Sequence, residues 1–459
     1  MGSFIVLALL AGVGCTALFL PWVGVAGAYL IGILNPQSIW WWSFEGLRPV
    51  YWVLLPTLLG VVLIGIRDRL RWNALVNVRV LCLLIIWLAG MISWWLAPYS
   101  VTIARDGESI TRGAAFIMDN LTKIIVLFIL ASLVTKSAGQ LKAMYVVFLV
   151  SGLYLTWWIN DRYFFGGGWG RIAGPRPLVG DGAYSDENAF GSLFVAVFPF
   201  IWYAAFAARR LWLKVLMMIF VPLVWHGLFL TGSRGALLAL GVSMLVIVLR
   251  MKRKAMGFGL FALFSIAFAW QAGDTMKNRA SSIDEYSEDA SATGRLDAWE
   301  AGGRMMISNP FTGVGPGAFL RAFPDFSERP SLQAHNTYIQ FGAEFGPIAL
   351  FAILILLLLS IASLWKVKPR GLFDPTVKRD PDLFVREAVL AAIVGVTVTG
   401  FFLSQQLFEL MYFLLFMANV LVLNCRERIS LSESNNNEEC EAPKERLMNG
   451  VVIVPARRS

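Results

Sequence analysis

The chain has 459 residues, 57% hydrophobic and 15% charged, with a formal net charge of +9. Soluble domains carry about 25% charged residues, so the composition excludes a soluble enzyme and points to an all-α polytopic membrane protein. No nucleic-acid partner is expected.

Apolar runs occupy residues 3–20, 49–66, 80–97, 115–134, 143–158, 187–207, 211–230, 235–249, 255–271, 346–365, 388–404 and 406–423. Runs of this kind cross about 30 Å of hydrocarbon, which predicts about twelve transmembrane helices. The first either continues, kinked, past Pro21 to residue 34 or is followed by a second short helix. Residues 1–20 lack the basic start of a cleavable signal peptide. Residues 1–271 form a first transmembrane block with short outer loops. Residues 272–345 are one large polar loop, 346–423 return to the membrane, and 424–459 form a polar tail expected to be disordered.

Basic residues orient the helices. Segments 67–79, 135–142, 208–214, 250–254, 366–386 and 424–459 hold 25 of the 39 Lys and Arg and fall on one side, which places both termini in the cytoplasm. The outer side receives 36–48, 98–114, 159–186, the turn at Ser233 and Arg234, and the large loop. It carries twelve Arg but one Lys, Lys277, whereas nine of the 25 cytoplasmic cations are Lys. Lys would satisfy topology equally well. The planar, bidentate guanidinium suits phosphate oxygens, so the bias suggests an anion held at the outer surface.

Three outer segments carry the candidate chemistry. "DRYFFGGGWGRIAGPRPLVGDGAYSDENAFG" contributes Arg171, Arg176 and Asn188, in a Gly-rich loop able to approach a ligand or to act as a plain connector. "FLTGSRGALLAL" places Arg234 in a tight turn between two membrane helices, although a lone interfacial Arg can also snorkel to lipid phosphate. In the large loop, "SATGRLDAWEAGGRMMISNP" reads as an amphipathic helix with Leu296, Trp299, Met305 and Met306 on its apolar face, preceded by Arg295 and carrying Arg304. "FTGVGPGAF" reads as a glycine turn. His335 follows, one of two histidines in the chain, with Asn336, Tyr338 and Glu344 as possible partners. Imidazole is readily poised as a general base near neutral pH, but a loop histidine can equally be a surface residue.

Weaker candidates are His226, expected to bond a neighbouring helix; the pair Asp119 and Lys123, spaced for mutual neutralisation; and Glu409 with Gln405 and Gln406, a possible partner for an Arg. None of the four cysteines lies in an outer loop, and no CxxC or zinc spacing occurs. The sole Asp-x-Asp, Asp380-Pro-Asp382, is on the cytoplasmic side. Mg²⁺ sites need carboxylates, so neither metal nor cofactor is expected at the outer site.

"SDENAFG" opening a helix, "TGSRGA" at a helix-to-helix turn, "GRLDAWEAGGRMMISNPFTGVGPGAF" and "HNTYIQFGAEFG" leading into a helix occur in the order and spacing of one family. Across residues 187–366 the chain resembles the O-antigen ligases of bacterial inner membranes, within the superfamily that includes O-antigen polymerases. The resemblance implies a GT-C-type membrane glycosyltransferase with undecaprenyl-pyrophosphate-linked glycan as donor, lipid A-core as acceptor, and a metal-independent periplasmic site among membrane lipids. It assigns Arg234, Arg295 and His335 to the reaction. Roles for Arg171 and Arg176 are inferred from composition alone, with Asn188, Arg304, Tyr338 and Glu344 as further substrate-binding candidates. Polymerisation, transfer to a protein hydroxyl, and flipping of a lipid-linked sugar are the competing readings. Transport would call for midplane charges and repeated halves, and neither is evident.

Overall fold

The computed structural model describes residues 2–44, 47, 49–65, 70–100, 113–166, 171–176, 182–251, 254–255, 257–266, 290–367 and 382–448. Among them every regular element is a helix. The N-terminal run is two helices, α1 (Gly2–Ala17) and α2 (Pro21–Leu34). Pro21 lies in the first turn of α2, where a missing N–H costs nothing. There follow α3 (Pro49–Gly65), α4 (Val78–Leu96), α5 (Ala114–Val134), α6 (Ala138–Phe165), α7 (Glu187–Ala207), α8 (Leu211–Thr231), α9 (Arg234–Arg250) and α10 (Gly257–Ile266). The remainder comprises α11 (Ala290–Ser308), α12 (Thr337–Phe345), α13 (Pro347–Lys366), α14 (Leu383–Thr399) and α15 (Glu409–Met448).

Among the described residues, seven helices are long and apolar enough to cross a membrane: α4 to α8, α13, and α15 over Glu409–Arg428. The other apolar helices are shorter than 18 residues as described, so seven of the expected twelve spans stand at full length among the described residues. The run expected at 255–271 is described only as far as residue 266. The run read as 388–404 is shifted: the helix ends at Thr399 and residues 400–408 form a turn. Phe401, Phe402 and Leu403 keep that turn apolar, so hydropathy alone carries the helix too far. At the C-terminus the helix continues to Met448, past the point where composition predicts disorder.

The bundle is built around α7, which packs against α6, α8, α9 and α14. Small residues permit the close approaches, as is usual between membrane helices. A Cβ on Gly191 would lie 2.9 Å from that of Ala236, and one on Gly395 would lie 2.5 Å from Val195. The end of the bundle away from Arg234 is fastened by ion pairs. Arg250 meets Glu387 at 2.7 Å, Arg71 meets Glu427 at 2.7 Å, and Arg428 pairs with Asp382.

At the other end, α11 and residues 313–345 form a small second core of Ala298, Ala301, Met305, Phe319, Phe323 and Ala343. Tyr99, just beyond α4, joins this unit to the bundle. Its N–H donates to Val314 O at 3.1 Å and its hydroxyl to Asp325. The apolar face of α11 is therefore spent inside this unit. Met305 is buried as expected, but Leu296 is exposed, because the packed stripe runs through the two alanines.

Candidate active site

His335 sits in an unusual backbone conformation, with φ +43°, one of two non-glycine residues on the left-handed side among the described residues. Such conformations persist only where the surroundings over-determine them, and here the clamps are visible. Trp299 Nε1 donates to Ala334 O at 3.0 Å. Asn336 caps α12, accepting from the N–H groups of Tyr338 and Ile339 at 2.9 and 3.1 Å. Thr337 donates its N–H to Gly400 O at 2.7 Å and its hydroxyl to Leu403 O at 2.6 Å. The imidazole itself makes no hydrogen bond among the described residues. It faces a cavity of about 450 Å³ together with Asp186, Gln333, Gln340, Glu344 and Gln406. Burial pushes its pKa below the ordinary value and the positive charge of Arg295 adds to the drop, while Asp186 opposes both. Burial and Arg295 thus favour the neutral ring, the form able to accept a proton.

Glu344, fully buried on the same cavity, explains the glycine turn. Gly313, Gly315 and Gly317 all have positive φ, which lets residues 313–319 wrap the end of α12. A Cβ on Gly313 would collide with Ala343 O at 2.5 Å. The carboxylate accepts from Gly317 N at 3.0 Å, Phe319 N at 3.4 Å and Gln340 Nε2 at 3.2 Å. Burial nevertheless pushes its pKa up to about 7, against the pull of these bonds.

The folded protein therefore holds this proton more tightly than an unfolded chain would, with its ordinary value of 4.5. Linkage then adds stability that is complete below 4.5 and lost as pH rises through about 7. Glu344→Gln should flatten the pH dependence of the thermal-unfolding midpoint across that window in detergent. An unchanged slope would show that other groups produce it.

Among the described residues none of the candidate arginines lines this cavity. Arg295, near the start of α11, is half-buried and is felt by His335. Arg234 opens α9 directly after Ser233, the N-cap, which accepts from Ala236 N at 3.3 Å. It heads an apolar cleft of about 480 Å³ between α9 and α10, lined by Leu238, Val242, Phe261 and Phe264. The two features are neighbours through the 400–408 turn. Gly235 packs on Phe402, so closely that a Cβ there would lie 2.6 Å from the ring, and Leu403 lines the polar cavity. Arg171 braces the Arg234 turn, with Nε donating to Thr231 O at 3.0 Å and Nη2 at 3.8 Å from Glu187.

Other candidates lie outside the cavity wall. Arg176 is exposed and donates to Ser185 O at 2.9 Å, fixing the loop that brings in Asp186. Asn188 is in the first turn of α7, its N–H bonded to Asp186 Oδ1 at 2.8 Å. Tyr338 turns away: its hydroxyl donates to Thr397 O at 2.6 Å and its ring packs on Phe401. Arg304 is on a separate face, bonded to Glu300 at 2.6 Å and Phe326 O at 3.1 Å. Of the weaker candidates, His226 Nδ1 bonds Asn160 Oδ1 of α6 at 2.7 Å, and Lys123 pairs with Asp119. Glu409 meets no arginine among the described residues.

Sequence reasoning misses Asp186, Gln333 and Gln340 as cavity residues. Asp186 is legible only as an N-cap before α7, accepting from Asn188 and Ala189; nothing local links it to a histidine 149 positions later.

These observations define a polytopic helical membrane protein with a polar cavity at one end of the bundle, next to an apolar cleft. Residues 219–354 match the family model described as O-antigen ligase, which supports an assignment to that family. The matched stretch includes Arg234, Arg295, Arg304, His335, Tyr338 and Glu344; Arg171, Arg176 and Asn188 precede it. Among curated proteins, none matches the chain.

Proposed function

We infer that the protein is an O-antigen ligase, moving a glycan from undecaprenyl pyrophosphate to a sugar hydroxyl of lipid A-core at the periplasmic face of the bacterial inner membrane. The observation that carries this reading is the polar cavity with a clamped His335 beside an apolar cleft headed by Arg234. A polyprenyl donor needs both environments at once. Its tail lies in the cleft between α9 and α10, and its diphosphate reaches Arg234 and Arg295. The acceptor oxygen attacks the anomeric carbon from the opposite face, the bond to the diphosphate oxygen breaks, and His335 takes the hydroxyl proton. The guanidinium groups receive the charge that develops on the leaving group, so no metal is required, and the anomeric centre inverts.

Purified protein in detergent, given lipid-linked glycan and a chelator, should glycosylate lipid A-core. Lipid-linked repeat units and a pilin-like protein, offered in parallel, distinguish polymerisation and protein glycosylation. A folded enzyme that modifies none of the three would sink the reading, and transfer without sealed compartments excludes transport as its sole activity. The same assay tests the cleft. A Cβ on Gly241 would meet nothing within 4 Å, so Gly241→Phe fills the groove without disturbing the packing. The KM for a full-length polyprenyl donor should rise at least about 10-fold, since each displaced CH₂ is worth ~0.8 kcal/mol. A short-chain donor should be unaffected; equal effects on both would remove the tail from this cleft.

A further inference from the structure

Next to the His335 cavity lies a second chamber of about 310 Å³. The two share Gly182, Ala183, Ala189, Leu403, Ser404 and Leu407, so they are compartments of one cleft. The chamber is closed on its far side by the end of α2, by the short helix Pro36–Ile39 and by the start of α15. Tyr184 ties its roof to α2, donating to Ile33 O at 2.8 Å.

Its lining is mixed, with apolar Val50, Leu407 and Phe408, and four of its polar atoms are unpartnered among the described residues. Asn35 and Ser38 are each only 4% exposed, and Asn35 Oδ1, Gln37 Oε1, Ser38 Oγ and Ser404 Oγ are buried with no hydrogen-bond partner among the described residues. Buried polar groups are nearly always satisfied, and exceptions point to function or to a bound species. Asn35 is held at φ +53°, the second non-glycine residue on the left-handed side. The carboxylate of Glu409 also faces in, lying against Gly32 so closely that a Cβ there would overlap Oε2. No Lys, Arg or His lines the chamber among the described residues. Among the described residues the chamber offers amide oxygens, a carboxylate and two hydroxyls, which suit a ligand with many O–H donors.

We propose that this chamber is the subsite for an uncharged, hydroxyl-rich sugar ring, that of the acceptor. The proposal rests on the transferase reading above. Position decides between acceptor and donor sugar: α2 packs with α1, α3, α5, α6 and α15, whereas α9, which borders the tail cleft, packs with α7, α8 and α14. The chamber and the tail cleft are therefore bordered by separate sets of helices. An acceptor seated in the chamber would reach the His335 cavity across their shared lining, apart from the helices that border the donor tail.

Three variants of the full chain test this. Glu409→Gln removes the charge; Asn35→Gly removes the amide from a position whose φ glycine accepts freely; Gly32→Ala pushes the Glu409 carboxylate aside with no change of charge. Each should raise the KM for lipid A-core about 10-fold or more, the usual worth of a hydrogen bond to a charged or buried group, and leave the donor KM unchanged. In saturation-transfer NMR, methyl glucoside and methyl galactoside should give a difference signal with the wild type and none with Glu409→Gln. Wild-type acceptor KM in all three variants would mean that the chamber holds only water, with the transferase reading intact. A raised donor KM instead would make it the donor's sugar subsite and overturn the assignment. If the wild type transfers to no acceptor, the transferase reading fails. A glycoside signal that disappears in Glu409→Gln would still mark a sugar site in that case, and no signal with the wild type would end both.

Discussion

Replacing His335 should lower transfer by roughly 10²–10⁴-fold, the usual cost of removing a general base, with insertion and fold unchanged. The choice of replacement matters because the residue stands at φ +43°. His335→Ala both removes the imidazole and strains the backbone. His335→Asn removes the imidazole but keeps a residue that tolerates left-handed geometry. Equal losses in the two variants place the effect in the ring. Near wild-type transfer by either, in donor-saturated enzyme, would mean that the proton goes elsewhere. The pH profile supplies an independent check. Activity should fall on the acid side as the ring becomes protonated, with a midpoint below the ordinary 6.5, since burial and then Arg295 depress the pKa. Asp186 is the one group acting in the other direction. Asp186→Asn keeps the N-cap of α7, for which Asn serves as well as Asp, and should move the acid limb to still lower pH. A limb that stays in place would show that Asp186 does not act on the titrating group.

Much of this arrangement is legible in the sequence. Hydropathy locates the helices, and the scarcity of histidine draws attention to His335. The Ser-Arg-Gly turn announces Arg234, which does open a helix. What stays hidden is set by bonds and packing between distant residues. "FTGVGPGAF" is readable as a turn, but that it folds around the Glu344 carboxylate depends on bonds across 25 and 27 positions. The amphipathic reading of α11 favours Leu296 as a buried residue, because it weighs size above fit; the packing chooses Ala298 and Ala301, which let Phe319 and Phe323 approach. Gln405 and Gln406 read as candidates to bind an arginine. Instead Gln405 Nε2 bonds Ser192 at 3.0 Å and Thr399 at 2.8 Å, holding the turn on which Thr337 is anchored. The polar chamber at Asn35 carries no local signal, since its walls come from opposite ends of the chain.

The second large effect is expected at the arginines. Arg234→Ala and Arg295→Ala should each cost about 10²–10³ in rate, the scale for a positioned electrostatic donor. The stronger test is Arg234→Lys. Arg234 follows Gly232, at φ +63°, and the N-cap Ser233, so its Cα is fixed at the first position of α9. The free N–H groups of a helix start and its dipole also favour an anion there. A diphosphate at this point meets a bidentate fork and a helix end together. Lys retains the charge but offers a single ammonium, which cannot span two phosphate oxygens in the same geometry. Arg234→Lys should therefore lose most of the activity, chiefly in kcat. Arg171 serves as a contrast. Its Nε is already committed to Thr231 O and it braces the same turn, so Arg171→Ala should lower thermal stability more than rate. Full activity in Arg234→Lys would reduce the diphosphate clamp to a generic need for positive charge at the membrane surface, and a loss in Arg171→Ala matching that of Arg234→Ala would move the clamp onto the turn as a whole.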